Sequence, residues 1–132
     1  MTIRVFLALF GAAHIVNGVW MITAPAAWYA AVPGVSGTGP FNPHFVTDIG
    51  LAYVASGTGL VLGASHRTWS GAAALAGAAW PLLHALFHVR EWLQHGLPPS
   101  PSAALSEALG VVAIGALGAI LAGLRFRNEG GR

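Results

Sequence analysis

Apolar residues run through this chain in four long blocks, at about 3–24, 44–64, 70–95 and 103–124, separated by short segments rich in proline, glycine and serine. A hydrocarbon core of roughly 30 Å needs about 20 such residues in a helix. Each block therefore predicts one membrane-spanning helix. Only helices and closed barrels satisfy their backbone polar groups in lipid, so the pattern predicts an all-α, polytopic membrane protein. Residues 1–132 form a single four-helix transmembrane bundle on this reading.

Local chemistry marks the helix ends. Asn42-Pro43-His44 opens the second block with an N-cap and a proline at the first helical position. The third block stops at Gly96 with Pro98 and Pro99 behind it, and Ser100-Pro101 restarts the fourth. Pro81, inside the third block, is expected to free the carbonyl of Gly77 and loosen or kink the helix. Gly59 and Gly63 make a GxxxG, and Gly115, Ala119 and Gly123 make a small-residue ridge. Such faces let helices approach closely, within the bundle or between protomers, and internal packing is the expectation here. A cleaved signal peptide is the rival reading of the first block, with Ala24-Pro25-Ala26 as the small-residue site. Because His14 and Asn17 interrupt the apolar run, and the run is long enough to span, it is read as a retained helix.

Composition agrees with the membrane reading. The chain is 55% hydrophobic and 8% charged, where a soluble domain carries about a quarter charged residues. Its basic residues are all arginine, and so few charges argue against nucleic-acid binding. Without cysteine there is no disulfide, iron–sulfur cluster, thiol catalysis or thiolate metal site. Arg4, Arg67, Arg125, Arg127 and Arg132 fall at one end of a four-span bundle, and only Arg90 at the other. The positive-inside rule then places both termini in the cytoplasm, with the 25–43 and 96–102 loops outside. Trp28, Tyr29 and Trp92 fall near the outer boundary and Trp69 near the inner one, as an aromatic belt would.

The few polar residues inside the spans carry the functional signal. His84, His88, Glu91 and His95 are spaced i, i+4, i+7 and i+11, one stripe on a helix. At 1.5 Å per residue, His14 and His84 lie roughly 15 Å from the outer end, and His88 and Asn17 about 10 Å. Asp48, Glu91, Glu107 and Met21 lie about 5–6 Å in, and His44 at the surface. All four spans thus contribute polar groups to the outer half, whereas 5–13, 57–64, 71–79 and 111–124 contain no ionisable side chain. Ionisable groups in hydrocarbon are functional-site candidates. A site reached from outside fits better than a path across the membrane.

His84 and His88, one turn apart, have a spacing that can place two imidazoles on one metal. His14 would supply a third ligand, and Asp48 or His44 a further one. Such a set suits copper, iron or zinc, and Met21 would tilt it weakly toward copper. Asn17, Glu91 and Glu107 would orient imidazole N–H groups, with Glu91 or Glu107 as proton acceptor. Haem b is the alternative cofactor, with His14 and His84 as axial ligands from facing helices. The same histidines can instead form a polar packing network or a metal-free proton-binding pocket. His66 and His95 are expected to make ordinary hydrogen bonds, and Asp48 lies too far along its helix to act as a cap.

A short first helix, a proline- and tryptophan-containing outer loop and Asp48-Ile49-Gly50-Leu51 opening the second span resemble the small four-helix bacterial membrane proteins of the DoxX-like type. The resemblance covers length and topology over most of the chain, through loose motifs, and no functional residue is carried over from it. It implies a bundle of this architecture and, for some members, a quinone-linked redox role. This chain departs in having no cysteine and a heavy histidine load. The expected function is a membrane metalloenzyme, oxidoreductase or metal-delivery protein. A metal-bound water would be the nucleophile in a hydrolytic version. A non-enzymatic accessory subunit of a larger membrane complex, or a homo-oligomer, is the alternative class.

Overall fold

The computed structural model describes residues 2–130. Three long helices, α1 (Thr2–Thr23), α3 (Pro43–Gly63) and α4 (Ser70–His95), are joined by a fourth rod. That rod consists of α5 (Pro101–Glu107), a π-helical turn (Ala108–Ala113) and α6 (Ile114–Gly130). A short helix α2 (Pro25–Ala31) and a 3-10 turn (Val35–Gly37) lie in the first connection, where the sequence pattern predicts only a loop. No strand occurs among the described residues, and each of the four long helical segments is long and apolar enough to cross a membrane. The expected all-α four-helix bundle is what the chain forms. The helix starts match their signals: Asn42 accepts a hydrogen bond from the Phe45 amide, and Ser100 from that of Ala103.

Neighbours in sequence are neighbours in space. α1 packs on α3, α3 on α4 and α4 on α6, while α1 closes the ring against α6. Leu9, Val16, Leu83 and Ile120 point outward, and the core is built from Leu7, Leu60, Ala74, Ala78 and Ala122. Small residues inside and large apolar ones outside suit helices whose surroundings are lipid, where close packing replaces the hydrophobic effect as the driving force.

The most extensive seam is between α1 and α3. Leu7, Gly11, His14, Gly18 and Met21 are buried at alternating steps of four and three residues, and Val46, Gly50, Gly57 and Leu60 follow the same heptad on α3. A Cβ on Gly57 would lie 2.5 Å from the Gly11 carbonyl oxygen, and one on Gly18 would lie 2.5 Å from that of Gly50. Only glycine lets the two backbones touch there. The Gly59/Gly63 pair packs internally, as expected, against Gly77 and Ala74 of α4. The ridge on the fourth rod divides: Gly115 abuts the Pro81 carbonyl, whereas a Cβ on Gly123 meets nothing within 4 Å.

α4 runs as unbroken helix through Pro81. The carbonyl of Gly77, which proline cannot bond, accepts from Ser56 Oγ at 2.6 Å. At the end carrying both termini, Arg4 Nε donates to Ala64 O at 2.6 Å, and Arg125 donates to Gly63 O at 3.1 Å and Ser65 O at 3.2 Å. These are the open carbonyls where α3 ends.

Candidate functional site

His14 comes from the α1 seam, buried between the two glycine contacts. Its Nδ1 lies 2.7 Å from the Phe10 carbonyl oxygen. A carbonyl only accepts, so Nδ1 carries the proton and Nε2 is the basic nitrogen of the neutral ring. The ring packs 5.4 Å from Tyr53 of α3, which meets Trp80 of α4 edge-on at 4.8 Å. Trp80 stacks on His84 at 4.9 Å, and His84 meets His88 edge-on at 4.8 Å.

His88 Nδ1 then lies 3.1 Å from Glu107 Oε2, the same oxygen that accepts from Trp92 Nε1 at 2.8 Å. The His88 and Glu107 side chains are 17% and 19% exposed, so this carboxylate is held by two N–H donors away from the surface. Two donors satisfy a largely buried carboxylate that would otherwise be costly to leave unpaired. The result is one row of rings from α1 through α3 and α4 to a carboxylate on α5.

Between His14 and His84 the helices leave a cleft of about 10 Å³, closed by Tyr53, Trp80, Pro81 and the π-helical turn at Gly110 and Val111. That is about the space one water needs. π-Turns inside α-helices occur frequently at functional sites, and this one faces the histidines.

The predicted stripe of α4 divides along its length. His84 and His88 join the row of rings, while Glu91 lies 3.5 Å from Arg90 and 3.3 Å from His95. Residues in a helix are 100° apart, so Trp92 rather than its neighbour Glu91 reaches Glu107. Glu91 therefore belongs to an exposed charge cluster and not to the histidine site, whereas Glu107 ends the row of rings.

The five expected metal ligands are not brought together. His44 and Asp48 pair with each other at 3.3 Å, with side chains 87% and 56% exposed. Gly50 and Val46 fix which face of α3 turns inward, and two residues away the chain points to the opposite side. Matching depth is thus not matching direction. Asn17 accepts from Trp28 Nε1 at 3.0 Å and lies 3.7 Å from Met21 Sδ, tying α2 across the end of α1. Met21 is 1% exposed and fills the α1–α3 seam beside Gly50. Among the described residues no three His, Asp or Glu side chains converge closely enough to hold a metal ion. Tyr53 and Trp80 fill the space between His14 and His84, so a haem there would have to displace both rings.

The chain matches no protein-family model, no curated protein and no solved structure.

The residues the sequence pattern did not single out are Tyr53, Trp80 and Trp92 as site components. Each carried a usable signal. Tyr53 continues the heptad of Gly50 and Gly57, Trp80 stands four residues before His84, and Trp92 four after His88.

Proposed function

We propose that the protein is a multi-pass protein of the bacterial inner membrane, with both termini cytoplasmic, whose outer half binds a single transition-metal ion through His84 and His88. The observation that carries this reading is the 3.1 Å contact between His88 Nδ1 and Glu107. A carboxylate on one imidazole nitrogen fixes the tautomer and makes the other nitrogen a better ligand. Copper, iron and zinc all accept imidazole, and bound there such an ion would supply Lewis-acid or redox chemistry to a small or lipophilic substrate. In that setting Glu107 accepts the His88 Nδ1–H and holds the ring, and Trp92 holds Glu107. His14, across the water-sized cleft, closes the site toward the bilayer centre. The redox version draws on the DoxX-like resemblance in length and topology.

A second reading is a metal-free proton-binding pair of His88 and Glu107. It is favoured by the lack of three converging ligands among the described residues. Elemental analysis of tag-free, detergent-purified protein separates the two. Near-stoichiometric copper, iron or zinc, lost in His84→Ala and His88→Ala, supports the metal site. Protein that stays metal-free after growth in supplemented medium leaves only the proton-binding pair.

A further inference from the structure

The end of the bundle that carries the termini holds a second polar cavity, separate from the histidine site. It measures about 200 Å³ and is lined by Arg4, His66, Arg67, Thr68, Arg125 and Glu129. On the same measure one water takes roughly 10–15 Å³, so a phosphate-sized group fits with water to spare. Three guanidinium groups face one carboxylate there. Glu129 is already committed: Oε1 lies 2.8 Å from Arg125 Nη2, and Oε2 accepts from the Gly71 amide at 2.6 Å.

Helix ends explain part of this cluster. Arg4 and Arg125 hold the open carbonyls of α3, as basic groups at a helix C-terminus do. Those bonds also fix both guanidinium groups at the cavity wall, with little side-chain freedom left to lose on binding an anion. Arg67 is not explained in this way. It sits on the exposed turn between α3 and α4, lines the cavity, and makes no ion pair among the described residues. Convergent positive charge beside spanning helices lies at the depth of lipid headgroups, where basic pockets take anionic phosphate.

We infer that this cavity binds a phosphate group, supplied by the headgroup of an anionic glycerophospholipid. Arg67 provides the free charge, Arg4 and Arg125 the fixed walls, and Thr68 a hydroxyl. The pocket then clamps the α3–α4 turn and both chain ends to the bilayer surface.

The test reconstitutes the protein in vesicles of equal parts phosphatidylcholine and phosphatidylglycerol, then counts retained lipid by native mass spectrometry after detergent release. Phosphatidylglycerol is expected to be retained over phosphatidylcholine, and Arg67→Gln to reduce that preference about fivefold. Arg127→Gln, on the exposed face of α6 outside the cavity, is expected to leave it unchanged. A second arm measures thermal unfolding in micelles with sodium phosphate against sodium chloride at equal ionic strength. A phosphate-specific rise that Arg67→Gln removes, without lipid preference, assigns the site to free phosphate instead of a headgroup. Equal loss in both arginine variants means diffuse surface charge and overturns the site, as does the absence of both effects in the wild type. Arg67 lies on the exposed turn and its side chain makes no hydrogen bond among the described residues, so its replacement tests the pocket without unfolding the bundle.

Discussion

Ser56 Oγ donates to the carbonyl oxygen of Gly77 at 2.6 Å, across the buried interface of α3 and α4. Pro81 leaves that carbonyl without its helical partner, and a hydroxyl from the next helix takes the place of the missing N–H. In hydrocarbon no water is available to do the same. The pair thus lets a proline sit inside a spanning helix at the level of the histidine row.

Ser56→Ala is expected to lower the unfolding free energy in detergent by about 1–3 kcal/mol, the cost of an orphaned buried acceptor. In a Pro81→Ala background, where the helix can restore its own bond to Gly77, the same change is expected to cost much less. Equal costs in the two backgrounds in a double-mutant cycle would refute the compensation.

Gly57→Ala is expected to destabilise the bundle by about 1–3 kcal/mol, because its methyl would meet backbone and not a yielding side chain. Gly123→Ala has open space and is expected to be neutral, or stabilising by up to about 1 kcal/mol through helix propensity. Parallel unfolding curves of the two variants check the contrast. Similar losses at both positions would mean that the α1–α3 seam is not tightly packed.

Neutral His88 is expected to carry its proton on Nδ1, facing Glu107. Nitrogen-15 NMR of histidine-labelled protein reads this directly. In Glu107→Leu the orienting acceptor is gone, so the Nε2–H tautomer should appear and the Trp92 emission should shift as its indole loses a partner. A wild-type spectrum dominated by Nε2–H for His88 contradicts the arrangement.

His44→Ala and Asp48→Asn are expected to leave any metal content of the purified protein unchanged. Their exposed pair should add less than about 1 kcal/mol to stability. Loss of metal in either variant, with His84 and His88 intact, would return them to the site.

Much of this architecture is written in short-range patterns. Asn42-Pro43 and Ser100-Pro101 start helices, Gly96 stops one, and the apolar blocks are long enough to span. Each depends on a few adjacent residues, so each could be read without knowing any partner. Counting residues likewise placed His14, Asp48, His84 and Glu107 in one half of the bundle. Direction was a different matter. Which face of α3 turns inward depends on glycines seven residues apart, Gly50 and Gly57, meeting Gly18 and Gly11 of another helix. That docking turned Asp48 outward to His44 and brought Tyr53 inward to His14. The separation of Glu91 from Glu107, the donor found by Gly77 and the gathering of Arg4, Arg67 and Arg125 around one cavity have the same origin. Rise per residue is a property of one helix, but the rotation of a helix about its axis is set only when its neighbours pack against it.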